Sequence, residues 1–210
     1  MTIAYAPPQP TSASDALDAL RAGGVAVVID DVSGTGCDIV ALASTATAAS
    51  IGAMVRLGSG FICTTVDVDT CRRLDLPPAS WIADGDDDYS GSMRVAVDAS
   101  AGITTGISGH DRAATLRVLA DRSASGTELT RPGHVVPVLA DPACGSLSRP
   151  NVLAKVADLC GDASRSLAFC ALVSEQDPCG IVGMDEAKTL LLPTIRFSDV
   201  VFRDAISRKP

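Results

Sequence analysis

Two short strings concentrate the groups that can do chemistry. ITTG, residues 103–106, sets the hydroxyls of Thr104 and Thr105 beside a glycine, and RPGH, residues 131–134, carries the Arg131 guanidinium and the His134 imidazole. An imidazole can give or take a proton near neutral pH, a guanidinium holds a carboxylate or phosphate at two points, and hydroxyls fix orientation. Together they suit acid–base chemistry on a bound polar or anionic group. A third string, DDVSGTGCDIV at 30–40, places two glycines, Cys37 and three aspartates, Asp38 the last, where the chain turns after an apolar run. A thiol such as Cys37, or Cys63 in GSGFIC with Ser59, acts as nucleophile or acid where cations depress its pKa; elsewhere it packs as a small hydrophobe. Asp111 and Arg112, adjacent in HDR, read either as pocket charges or as a local salt bridge at a helix start. The glycines serve equally well as turn formers.

The surrounding elements follow from periodicity. A Pro-rich leader, 1–13, is expected to be flexible, and a domain is expected over 14–210. Ser14 is the expected cap of a helix, DALDALRAG, that ends at Gly23-Gly24. GVAVVID reads as a strand covered on both faces, DIVALAS as another, TAASIGAMVRLG as a helix ending at Gly58, GFICTTV as a strand, and VDTCRRLDLP as a helix stopped by prolines. ASWIADGDDDYSGS reads as a solvated loop rather than a calcium site. SMRVAVDA alternates like a half-buried strand, SGHDRAATLRVLAD is a capped helix whose His110 faces solvent, and RPGHVVPVLAD is turn and strand. NVLAKVADLCG is a helix, SLAFCALVS a buried strand, and DEAKTLLL and SDVVFRDAI are closing helical segments. The pattern predicts a single α+β domain, a mixed β-sheet with packed helices.

Composition narrows the partners. The chain has 210 residues, a formal charge of -8 and only 3% aromatic residues. One core is therefore the default. Phosphate backbones are held by clustered cations and single strands by aromatic platforms, so nucleic acid is an unexpected partner. Seven cysteines, an odd number without a C-x-x-C pair, read as reduced thiols. The start lacks a signal peptide and no apolar run reaches the ~20 residues of a membrane span. The expected setting is the cytoplasm, with no membrane partner.

VAVDASAGITTGISGHDRA at 95–113, LTRPGHVVPV at 129–138 and RLGSGFICTTVDVDTCRRLDLPP at 56–78, with ALRAGGVAVVIDD before them and SDVVFR after, closely resemble 3,4-dihydroxy-2-butanone 4-phosphate synthases of riboflavin biosynthesis. The resemblance runs from about Asp15 to Arg203. It implies a homodimer with active sites at the subunit interface, and a reaction turning ribulose 5-phosphate into formate and a four-carbon butanone phosphate with a divalent metal, usually magnesium. It places Ser59, Thr104, Thr105, Asp111, Arg112, Arg131 and His134 in segments lining the substrate pocket, and sets Cys63 near Cys37.

The family's acidic run, Arg-Glu-Asn-Glu-Gly-Asp, is SGTGCD in this chain. Asp38 matches its closing aspartate; both glutamates are missing. The metal-binding histidine of a Gly-His-Thr-Glu-Ala segment falls on Arg149, its threonine on Pro150, its glutamate on Asn151, and a later glutamate on Ala171. The expectation is no cofactor: the family's magnesium is lost, and no metal ligands are assigned. Arg149 would repel a divalent ion and could hold an anion instead. The expected function is a repurposed, metal-independent lyase, isomerisation, condensation or cyclisation step, with His134, Cys37 and Cys63 as its agents and Asp38, Arg131 and Arg149 among the groups on the substrate. The alternatives are a catalytically silent homologue that binds a metabolite or dimerises with an active relative, and the standard synthase.

Overall fold

The computed structural model describes residues 12–34, 36–79, 92–141, 143, 147–177 and 179–201. Residues 1–11 of the expected leader, 80–91 of the ASWIADGDDDYSGS loop and the end of the SDVVFRDAI segment lie outside them; the last two leader residues, Ser12 and Ala13, instead cap and open α1, so the helix begins one residue before the expected domain boundary. In chain order the elements are α1 (Ala13–Arg21), β1 (Ala26–Asp30), β2 (Gly36–Leu42), α2 (Ala48–Leu57), β3 (Cys63–Val66), α3 (Val68–Arg73), β4 (Val97–Ala99), α4 (Gly109–Ala120), β5 (Leu129–Leu139), α5 (Arg149–Leu159), β6 (Leu167–Ala171), α6 (Met184–Thr189) and β7 (Thr194–Arg196). A helical turn follows at 197–201.

The seven strands form one mixed sheet in the order β4-β5-β3-β6-β2-β1-β7, parallel where β1 meets β7 and β3 meets β5, antiparallel elsewhere. Alternation along β1 and β2 explains why both faces are covered. Val27, Ile29, Cys37, Ile39 and Ala41 join one apolar cluster with Ile51 and Met54 of α2 and Leu116 and Leu119 of α4. Ala26, Val28, Val40 and Leu42 join the other with Leu17 and Leu20 of α1, Val152 and Val156 of α5, and Phe169 of β6. A single α+β domain of helices on a mixed sheet is the observed architecture.

Several boundaries differ from the sequence reading. Ser12, not Ser14, caps α1, because the Asp15 carboxylate returns to the Ser12 backbone N–H at 2.8 Å and closes a capping box. The strand expected over SMRVAVDA contracts to β4, with Met93 and Arg94 in isolated bridges. RPGH is part of the 11-residue β5 rather than a turn, and a register shift between Val97 and Asp98 accommodates the pairing. The short β7 was hidden by the preceding Pro193 and the helical pattern after it; pairing with β1 creates it.

Candidate active site

Period-two alternation puts Asp38 on the face of β2 opposite Cys37 and Ile39, under the start of α5. Arg149, the first residue of α5, reaches it there. The guanidinium donates from Nε to Asp38 Oδ2 at 2.6 Å and from its second nitrogen to Oδ1, so both carboxylate oxygens are engaged. It also lies over the Phe169 ring, 5.7 Å from the centroid. The Asp38 side chain is 5% exposed and that of Arg149 28%. Burial pushes the Asp38 carboxyl up, with the Arg149 hydrogen bonds and charge opposing. Arg149, expected to hold an anion of the substrate, instead holds an anion of the protein.

A second cluster gathers on β4, β5 and the loop between β4 and α4. His134 donates its backbone N–H to Asp98 Oδ1 at 2.9 Å, and its ring Nδ1 lies 2.7 Å from Asp98 Oδ2. Asp98 is buried while the His134 side chain remains 40% exposed. Gly106 sits directly on this pair: its φ is +86°, and a Cβ there would overlap both Asp98 Oδ2 and His134 Nδ1. Asp111, buried in the first turn of α4, accepts from Thr104 Oγ1 at 2.8 Å and from the Gly106 N–H at 3.1 Å. These donors, the Thr104 hydroxyl foremost, hold its carboxyl well below the usual carboxylate range. Asp111 therefore pins the ITTG loop over the His134 pair. Thr104 and Thr105 are exposed beside it, and His110 faces solvent.

The remaining expected residues disperse. Arg112 makes no local salt bridge with Asp111; it is buried and donates to the Gly60 carbonyl at 2.9 Å. Ser59 is exposed and its hydroxyl accepts from the Phe61 N–H at 3.3 Å. Arg131 turns to the carbonyls of Leu74, Leu129 and Gly126, where it ties β5 to the end of α3. Cys37 and Cys63 are not neighbours. Cys37 pairs across from Ile29 and Cys63 across from Phe169, which puts them on opposite faces of the sheet. Both are buried, and desolvation with nearby Asp38 and Asp30 raises the Cys37 thiol to about 11. The depressed pKa on which a reactive Cys37 thiol would depend is absent.

Asp98 escaped the sequence reading. Its only signal was an aspartate inside the apolar run VAVDA.

A family profile described as 3,4-dihydroxy-2-butanone 4-phosphate synthase matches residues 14–196. The chain belongs to that family. It is 38% identical over 172 residues to a riboflavin biosynthesis protein RibBA from Rhodococcus erythropolis, covering 80% of this chain and 40% of the relative. A RibBA from Nocardia farcinica is 41% identical over 161 residues, covering 75% and 38%. The chain thus spans about two fifths of the length of these relatives. A 3,4-dihydroxy-2-butanone 4-phosphate synthase from Candida albicans superposes with a TM-score of 0.79 at 25% identity, covering 94% of this chain and 99% of that one. Another synthase structure, in complex with two magnesium ions, gives a TM-score of 0.79 at 26% identity, covering 92% and 96%.

The residues at the seat where the resemblance places magnesium do not fit a divalent ion. Asp38 has both oxygens bonded to a guanidinium. Asn151 Oδ1 accepts from the Asp141 N–H at 2.7 Å, and Ala171 stands opposite Asp38. Among the described residues, no three His, Cys, Asp or Glu side chains are grouped to hold a metal. Among them, too, no helix is long and apolar enough to cross a membrane.

Proposed function

We propose that the chain is a divergent family member catalysing a metal-independent step on a small anionic carbonyl compound, a lyase, isomerisation, condensation or cyclisation reaction. His134 moves the proton, and Thr104 and Thr105 contact the substrate. The observation that carries this reading is the Arg149–Asp38 pair. It sets a cation and its neutralising partner where a hard divalent ion needs free carboxylates. A metal at a developing enediolate supplies several kcal/mol, each ~1.4 kcal/mol being tenfold in rate. A guanidinium already neutralised by Asp38 supplies little of that field.

The homodimer belongs to the same proposal. Four strand spacings separate β2 from β4, about 19 Å at ~4.8 Å each. A small substrate cannot span Asp38 and Asp98 of one chain, so a site using both segments needs a second copy. Phe61 and Ile107, each about half exposed, supply apolar surface for it. A cytoplasmic setting fits the thiols at 37, 71, 160, 170 and 179, none of which is in a disulfide.

The test is formate release from ribulose 5-phosphate with magnesium. The expected result is no formate above background, together with exchange of a substrate α-proton in D2O, seen on small phosphorylated carbonyl compounds and lost in His134→Ala. Rapid formate release would instead establish the second reading, the standard synthase, which the 38–41% identity to riboflavin biosynthesis proteins favours.

A further inference from the structure

We infer that Asp98 is a positioning residue that holds His134 in one tautomer, with the proton on Nδ1 and the free lone pair on Nε2. This rests on the reading of His134 as the group that moves a proton. An ionised carboxylate has no proton to give, so the short contact to Oδ2 requires Nδ1 to be the donor. A neutral imidazole with Nδ1–H carries its acceptor at Nε2. Gly106 and Asp98 cover the Nδ1 edge, so the exposed part of the ring presents Nε2 outward. When Nε2 takes a proton from a carbon next to a carbonyl, the electron pair stays on the substrate as an enolate. The imidazolium so formed faces the Asp98 carboxylate.

The backbone makes the inference testable. Asp98 Oδ1 already accepts the His134 backbone N–H. In Asp98→Asn the amide oxygen must stay on that N–H, since its nitrogen cannot accept. The amide nitrogen then faces Nδ1 and donates to it, which forces the ring proton to Nε2. A carboxylate serving only to satisfy the backbone at the β4–β5 irregularity would have no such effect on the ring.

The experiment is long-range proton–nitrogen correlation NMR on the 15N-labelled full chain at a pH where the imidazole is neutral. The chain has 2 histidines, so His110→Gln assigns both. The expected wild-type spectrum shows His134 protonated on Nδ1, and Asp98→Asn inverts it. A wild-type ring protonated on Nε2, or an unchanged tautomer in a folded Asp98→Asn, overturns the inference; if Asp98→Asn does not fold, the wild-type spectrum decides. On any substrate turned over, Asp98→Asn should lower kcat by on the order of 10⁴-fold with KM little changed, and an unchanged kcat also overturns it. A protein without turnover but with His134 protonated on Nδ1 rejects the enzyme reading and keeps the clamp. Turnover with His134 protonated on Nε2 keeps the enzyme and rejects the clamp.

Discussion

The pairs Asp38–Arg149 and Asp98–His134 start from the same buried carboxylate and end in opposite chemistry. Arginine stays charged at every accessible pH and spreads its donors in a fork that saturates both oxygens of Asp38. The result is a buried ion pair in which each carboxylate oxygen is already bonded to the cation. Histidine spends one ring nitrogen on Asp98 and keeps the other. Burial decides the rest: Arg149 lies against Phe169 beneath α5, whereas His134 stays 40% exposed at the rim of the sheet. The Arg149–Asp38 pair thus acts as a structural strut between β2 and α5, while the Asp98–His134 pair leaves part of an imidazole exposed.

That contrast can be broken in order of effect. Arg149→Ala leaves the Asp38 carboxylate buried and unpaired, and should cost about 3–5 kcal/mol in urea unfolding. Asp38→Leu with Arg149→Met should return stability to the wild-type level or above it, as apolar replacements of buried ion pairs do. A cost under about 1 kcal/mol for Arg149→Ala would mean the pair is solvated and free to bind substrate.

Gly106→Ala tests the other pair. A methyl group there meets Asp98 and His134 at a positive φ, so about 2–4 kcal/mol should be lost. Gly102 has φ +71° and open space where a methyl group would stand, so Gly102→Ala should cost only the backbone strain, about 1–2 kcal/mol. Equal costs for the two would mean that close packing on the Asp98–His134 pair adds nothing to the strain at Gly106.

Acid unfolding separates the loop from the ion pair. The folded Asp111 pKa is depressed, so its contribution is fully present above the unfolded value of about 3.9 and is lost as pH falls through the folded one. Asp111→Asn should lose stability at neutral pH and show a shallower decline below about pH 4. Identical acid profiles would show that Thr104 and Gly106 do not hold that carboxylate.

The smallest effect is expected at the thiols. With its thiol raised to about 11, Cys37 is ionised to about one part in 10³ at pH 8 and is buried besides. Iodoacetamide should label exposed Cys179 first and leave Cys37 and Cys170 unmodified in the folded protein, as read by mass spectrometry. Cys37→Ala should leave any turnover intact.

Much of the scaffold was legible because its signals are local. The Val-rich run at 25–29, the cap before α4 and the glycine at 58 each fix an element through neighbours a few residues away. The family resemblance added the order of the segments and singled out Asp38, Arg149, Thr104, Asp111 and His134, which the fold gathers into two clusters. What it misplaced were residues whose roles depend on strand register. Cys37 and Cys63 both sit in apolar strands, but the pairings Ile29 with Cys37 and Phe169 with Cys63 send them to opposite faces. Arg131 adjoins His134 in sequence, yet alternation along β5 sends its guanidinium to carbonyls at the end of α3.

By itself the sequence determined which residue types stand where the resemblance expects a metal seat, since folding cannot supply residue types that are absent. It also determined that a histidine and two threonines remain near glycines. Only the tertiary structure decided what the survivors do. Asp38 and Arg149 are 111 positions apart and Asp98 and His134 are 36 apart. Which carboxylate meets which partner is set by sheet order and register, and the exposure of each partner then separates a locked ion pair from one whose imidazole stays partly open.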